Sequence, residues 1–219
     1  MNRGDNPSGA NMIIVAATQN KHKIVELTAI LSPFGMELIT QADAGLGDVD
    51  ICEDGATFEE NSLKKAREIL ALCGQASIAE DSGLEVDAIG GAPGVYSARF
   101  AGMTGGVSAG AIANEADETN IGKLLRLMEE VPDEKRTARF VSVVTLAFPD
   151  GRIFSARGEC EGMIGRECAG NNGFGYDPIF TPLGYAKTFA QLTAEGKNAI
   201  SHRAKALAKL KQMLTDAAY

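Results

Sequence analysis

Two adjacent carboxylates, Glu80 and Asp81, sit in the stretch "IAEDSGLEVDAI" at residues 78–89, followed at once by Ser82 and Gly83. A polar turn accounts for Asp-Ser-Gly by itself, since those residue types favour turns. It does not call for Glu80 as well. Neighbouring like charges disfavour each other's ionised form unless a cation neutralises them. Glu53 and Glu60 supply two more carboxylates upstream. Magnesium takes oxygen ligands, usually one or two carboxylates completed by water and substrate phosphates. The acid set is therefore a candidate metal site. Plainer accounts stand beside it: Glu60 as a helix cap, Glu53 as a solubilising loop residue.

Three other polar segments carry complementary chemistry. "TQNKHK" at residues 18–23 places a hydroxyl, amides, Lys21 and Lys23 at an expected helix start, a natural anion site. It lacks the glycine pattern of a P-loop. "GNNGFGYDPIF" at residues 170–180 interleaves glycines with Phe174 and Tyr176. Such a loop can clamp a flat base and offer backbone amides to phosphates or base edges. "GKNAISHRAKAL" at residues 196–207 gathers Lys197, His202 and Arg203 at the expected first turn of the last helix. Cations there oppose the helix dipole, and a broken local rule points to function. Taken alone, each segment also reads as a solvated helix start or an aromatic-bearing loop.

The elements that must position these residues follow from periodicity. An apolar, β-branched run predicts a strand over 12–17, and Ile24, Leu27, Ile30 and Leu31 predict a helix ended by Pro33 and Gly35. A second strand is expected over 36–40, then a loop over 41–55. Thr57 and Glu60 match a capping box opening a helix that stops at Gly74. A short strand over 77–79 is expected to end at the acidic pair, followed by a glycine-rich turn over 90–102. A helix is expected over 116–131, then strands over 136–148 and 152–163 joined at Asp150-Gly151, a hairpin signal. The last helix is expected to start near Asn198, with Ile200, Ala204, Leu207, Leu210 and Leu214 on one face. This alternation predicts an α/β fold with a mixed sheet.

Composition narrows the function classes. The 219 residues are 45% hydrophobic and 23% charged, enough to bury one substantial core. The expectation is a polar, disordered tail over 1–11 and a single folded unit over 12–219. No apolar run reaches the ~20 residues that span a bilayer, and no secretion signal is read at the N-terminus. The four cysteines, Cys52, Cys73, Cys160 and Cys168, lack metal-type spacing and read as reduced thiols of a cytoplasmic protein. A net charge of −8 argues against nucleic-acid and membrane-surface partners. It leaves room for a small phosphorylated ligand met by a local cation cluster or a metal.

The segments "ATQNKHKIVEL", "FEENSLKKAR", "AEDSGLEVDAIGGAPGVYSARFAG", "GNNGFGYDPIF" and "ISHRAKAL" together resemble the inosine triphosphate pyrophosphatase family, in the family's order and over nearly the whole chain from Met12. The resemblance implies an elongated, mixed, twisted β-sheet with flanking helices, forming two lobes around a central cleft. It implies a homodimer, Mg²⁺ dependence with Mn²⁺ as a substitute, and hydrolysis of ITP, dITP and XTP to monophosphate and pyrophosphate. Such an enzyme would cleanse the nucleotide pool of deaminated purines. It implies that Thr18, Gln19, Asn20, Lys21, His22 and Lys23 form the triphosphate-binding turn. Asp81 falls on the position of the catalytic proton acceptor and metal ligand, and Glu53 and Glu60 fall at or near the same metal. Ser82 is implied as a substrate contact, Phe174, Gly175, Tyr176 and Asp177 as the base loop, and Lys197, His202 and Arg203 as further nucleotide contacts. Glu80 and Gly196 depart from the residues usual at their positions, and "GMTGGVSAGAIANEAD" is longer than usual, as a surface loop.

The chemistry expected is metal-assisted attack of water on phosphorus. A carboxylate that binds a cation is a weak base, so Glu80 stands as the alternative to Asp81. Two rivals remain at this level. One is a Maf-type nucleotide pyrophosphatase with another base preference, against which "FGYDPIF" and "SHR" argue. The other is a nucleotide sensor without catalysis, against which the intact acid set argues.

Overall fold

β1 (Met12–Ala16) is a five-residue apolar run that buries Ile14, Val15 and Ala16 completely. It opens the part of the chain that the computed structural model describes, residues 12–18, 21–103 and 119–217. The expected tail and most of the expected surface loop "GMTGGVSAGAIANEAD" lie outside the described residues. α1 (Lys21–Leu31) follows, and Pro33 and a left-handed Gly35 end it as their chemistry predicts. β2 (Met36–Thr40) pairs in parallel with β1. α2 (Phe58–Cys73) starts at the Thr57/Glu60 capping box and stops at left-handed Gly74. β3 (Ala76–Val86), α3 (Asn120–Leu127), β4 (Thr137–Ala147), β5 (Ile153–Ile164), β6 (Phe180–Pro182), α4 (Ala194–Ile200) and α5 (His202–Asp216) complete the described elements.

The strands form one mixed sheet in the order β2-β1-β3-β4-β5-β6. β1 runs parallel to β2 and β3, and the β3-β4-β5-β6 pairs are antiparallel. Leu27 and Leu31 of α1 and Leu207, Leu210 and Leu214 of α5 share one core with Ile14, Ile78, Val144 and Leu146. On the opposite face, Ala66 and Ile69 of α2 pack on Val15, Ala79 and Ala147, and Phe58 packs on Val141 and Val143. A further core sits at the far end of the long strands, built on Leu84, Val86, Phe140, Phe180, Phe189 and Leu124.

Three expectations are corrected. The strand expected to end at Ala79 continues through Glu80, Asp81, Ser82 and Gly83 to Val86, because every residue from Ser77 to Val86 has a partner on β4. A long antiparallel ladder overrides the local turn preference of Asp-Ser-Gly. The last helix starts at His202, not near Asn198. Ser201 is extended, and its hydroxyl accepts from the Ala204 amide at 3.2 Å, capping α5 and separating it from α4. Lys197 therefore sits on α4, outside the first turn of α5. β6, three residues long, carried no period that sequence reading could detect.

Candidate active site

β1 hands the chain to β2 through α1 on one face, and β2 hands it to β3 through α2 on the other. The carboxyl end of β1 is thus a topological switch point, where open α/β sheets hold ligands. Pairing between β1 and β3 stops at Ala16↔Ile78, with Ala17 N donating to Ile78 O at 2.8 Å. β3 runs on alone at that edge. The next outward carbonyl, that of Glu80, is met by Lys65 Nζ at 2.8 Å in place of a strand. A polar cleft of ≈ 450 Å³ opens there, lined among others by Thr18, Lys23, Glu53, Lys65 and Glu80.

Because strand side chains alternate, Glu80 and Asp81 point to opposite faces. On the α2 face, Asp81 Oδ2 accepts from Asn61 Nδ2 at 3.1 Å, and Asp81 Oδ1 lies 3.4 Å from Lys65 Nζ. The same ammonium lies 2.6 Å from Glu53 Oε1. Two carboxylates thus share one cation. Burial pushes the Asp81 carboxyl above its ordinary proton affinity; Lys65 opposes this and the Glu53 charge adds to it. Asn61, Ser62 and Lys65 are polar residues on the buried stripe of α2 that also carries Phe58, Ala66 and Ile69. That misfit in the stripe was the sequence signal for Asn61 and Lys65, which the reading of candidate residues missed.

On the α1/α5 face, Glu80 is enclosed by cations. Arg203 Nε lies 2.9 Å and 3.0 Å from its two carboxylate oxygens, Lys23 Nζ lies 3.6 Å away, and Ser142 Oγ donates at 3.0 Å. Burial alone would raise its pKa; Lys23 and Arg203 overcome that and bring it down to about 2. Along this face Ile78 belongs to one core, Leu84 to the other, and Glu80 and Ser82 form the polar gap between them.

The residues expected to form a base loop assemble next to this gap. Asp177 is buried, accepts from Phe174 N at 2.8 Å and holds Lys197 Nζ at 2.5 Å. Gly173 is required here: its φ is 75°, and a Cβ would strike the Asp177 carboxylate. Phe174 exposes its ring, with Lys197 Nζ 4.9 Å from the centroid. Tyr176, expected as part of the base loop, is buried, and its hydroxyl donates to Ser97 O at 3.0 Å. Gly175 has a φ of 57°, the left-handed conformation that carries the chain past Phe174. His202 stacks on Phe140 at 4.9 Å, and its Nδ1 has no hydrogen-bond partner among the described residues. Burial and then Arg203 depress its pKa to about 3, so the ring is neutral near pH 7.

Of the remaining expected residues, Gln19 and Asn20 lie outside the described residues. Lys21 and His22 form the first turn of α1, where only their backbone is described. Ser82 is half-buried on the same face as Glu80. Glu60 is the capping carboxylate: its Oε2 accepts from Ala56 N at 2.6 Å and Thr57 N at 3.3 Å. Asn61 and Lys65 are the α2 residues that touch Asp81.

A divalent cation fits the pair Glu53 and Asp81. The donors are oxygen only, and both carboxylates already converge on one positive charge. Among the described residues no group of three or more His, Cys, Asp or Glu is arranged to hold a metal. Two carboxylates completed by phosphate and water match magnesium better than a full protein cage.

Known proteins share the sequence and fold of this chain. The chain is 48% identical over 203 residues to a protein of Desulforamulus reducens named dITP/XTP pyrophosphatase, covering 93% of this chain and 96% of that one. A Clostridium perfringens protein of the same name is 44% identical over 206 residues, covering 91% and 96%. The solved structure of the Staphylococcus aureus Ham1 protein superposes with a TM-score of 0.82 at 38% identity, covering 94% of this chain and 99% of that one. The model of the Ham1 family matches residues 14–213, and the chain belongs to that family.

Proposed function

We propose that the protein is a pyrophosphatase of deaminated purine nucleoside triphosphates, releasing pyrophosphate and a monophosphate from ITP, dITP and XTP. One observation carries the reading: Lys65 clamps Glu53 and Asp81 together at the open end of β1, in the cleft that Thr18 and Lys23 line. The relatives' names support the substrate class. Glu53 and Asp81 would hold a magnesium ion, with manganese as a substitute; when bound, it neutralises phosphate charge and polarises the scissile phosphoryl group.

The chain's own residues do the rest. Amides at the start of α1, with Lys23, receive the triphosphate. Lys65 meets phosphate oxygens from the α2 side. Asp81 orients the attacking water and accepts its proton through the oxygen Asn61 leaves free. Glu80, at about 2, is a counter-ion and not the base. Phe174 stacks on the purine. Lys197 and the neutral His202 offer donors to the 6-oxo group, where adenine presents a donor of its own and leaves both unpaired.

The four cysteines are free thiols, which fits a reducing cytoplasm, and among the described residues no helix is long and apolar enough to cross a membrane. The homodimer implied by resemblance is read by sedimentation. Pyrophosphate release from ITP with Mg²⁺, against ATP and against chelator, tests the main reading. Preference for ATP or full activity in chelator refutes it; tight ITP binding without turnover selects the sensor instead.

A further inference from the structure

Glu53 lies in a loop with no strand or helix to hold it, yet its carboxylate has to meet that of Asp81. Besides the Lys65–Glu53 ion pair and the Glu60 bonds to Ala56 and Thr57, three contacts fix this loop. Lys64 Nζ lies 2.6 Å from Asp54 Oδ1, and Gly55 N donates to Asn61 Oδ1 at 2.8 Å. Both come from α2. The third comes from another element: Arg99 Nη2 donates to the backbone oxygen of Glu53 itself at 3.0 Å.

Arg99 ends a short 3-10 segment, Gly94–Arg99, that is seated on β3 beside the acidic pair. Leu84 N donates to Ser97 Oγ at 2.8 Å, and Ser97 Oγ donates to Gly94 O at 2.6 Å. A Cβ on Gly83 would collide with Ser97 Oγ and the Gly94 carbonyl, so the close seating needs glycine there. The other side of the segment meets the base loop, where Tyr176 donates to Ser97 O. The segment therefore ties the strand that carries Asp81 to the loop that carries Glu53.

We propose that Arg99 is a positioning residue for the divalent-cation site: it fixes the main chain of Glu53 at the place from which its carboxylate joins that of Asp81. The proposal rests on the metal-assisted reading above. A ligand on an unsupported loop has to be ordered when the cation arrives, which weakens binding. Arg99 removes part of that ordering beforehand, through a charge-assisted bond whose donor never loses its proton. Its guanidinium is exposed and lies over the Tyr96 ring at 5.2 Å, so no core depends on it.

The test measures Mn²⁺ binding by electron spin resonance on the full chain, as wild type, Arg99→Ala and Arg99→Lys, beside the Mg²⁺ dependence of ITP hydrolysis. One hydrogen bond of this kind predicts Mn²⁺ binding weaker by about fivefold in Arg99→Ala. Arg99→Lys, which keeps a charged donor, should recover most of that loss. Melting temperature and the ITP-to-ATP ratio should stay at wild-type values. Wild-type Mn²⁺ affinity in Arg99→Ala overturns the proposal. So does a loss that Arg99→Lys does not recover, or one that a fall in melting temperature accompanies. If the wild type hydrolyses ITP and binds Mn²⁺ while Arg99→Ala matches it, only the role of Arg99 falls. If the wild type does neither, the metal-assisted reading falls and takes this one with it.

Discussion

Arg203, half-buried, pairs with the buried Glu80: one guanidinium nitrogen lies 2.9 Å and 3.0 Å from the two carboxylate oxygens. Lys23 approaches the same carboxylate from α1, and Glu26 lies 3.5 Å from Arg203. Glu80 thus joins α1, β3 and α5 across the polar gap. Removing one member leaves buried charge uncompensated, which typically costs about 3 kcal/mol or more. Glu80→Gln should lower unfolding free energy by about that amount in urea titration. A loss under about 1 kcal/mol would mean that the pair does not hold the helices.

Its sequence neighbour should behave oppositely. Asp81 is charged against the pull of its burial, and Lys65 keeps Glu53 and the Glu80 carbonyl when Asp81 is neutralised. Asp81→Asn should leave metal-free stability unchanged or slightly higher. Turnover should fall by about a thousandfold, within the range that a positioned acid or base contributes. Near-wild-type kcat in the folded variant would remove Asp81 from catalysis.

The contrast explains what was legible in the sequence. Caps, stops and the long hairpin rest on local chemistry, so Thr57, Gly74 and Asp150-Gly151 were readable. The acidic pair was recognised, but its placement at a strand end was not right, because the ladder with β4 is a long-range contact that no local pattern encodes. The break at Ser201 was readable in principle, since serine is a preferred cap; the apolar period through Ile200 hid it. Lys65 and Asn61 escaped because their role appears only once α2 is laid against β3. The polar segment at 18–23 and the glycine-aromatic segment at 170–180 stood out in the sequence, yet only packing shows that Tyr176 faces inward and Phe174 outward.

Lys65 places its ammonium where a metal would neutralise Glu53 and Asp81. Lys65→Met should leave those carboxylates facing each other without a cation. The variant should melt lower than wild type without metal and gain more on adding Mg²⁺, because binding to the folded form alone raises stability with ligand concentration. Calorimetric scans across Mg²⁺ concentrations check this. An equal Mg²⁺-induced shift in both proteins would place the metal elsewhere. Turnover should still fall, since Lys65 also serves the phosphates.

His202 sets a pH dependence whose sign follows from its neutral state. Its pKa is about 3 in the fold, against 6.5 for a free side chain. Between those values the unfolded chain binds the extra proton, so stability falls as pH falls. From pH 6.5 to 5 the loss from this one group is about 1.5 kcal/mol. Glu80, depressed to about 2 from 4.5, adds a loss of the same sign only below about pH 4.5. His202→Gln should flatten the profile between pH 6.5 and 5 and leave the steeper fall below it. An unchanged slope in that upper window would show that the ring is solvated.

Base choice should depend on Lys197 more than on Arg203. Arg203 donates to Glu80 through Nε and faces Glu26, which ties it to β3 and α1. Lys197 is anchored by Asp177 and lies over the exposed Phe174 ring, where a stacked purine would present its edge. Its ammonium can donate to a 6-oxo group but only oppose a 6-amino group, and leaving such a pair unmatched costs more than the matched bond contributes. Lys197→Met should therefore reduce kcat/KM for ITP and XTP by about a hundredfold while changing ATP much less, closing the gap between them. Arg203→Ala should instead lower stability and raise KM for every triphosphate by a similar factor. Measuring kcat/KM for ITP, XTP, GTP and ATP on both variants decides the matter: a wild-type ITP-to-ATP ratio in Lys197→Met would move base recognition to His202 and the backbone amides of the loop.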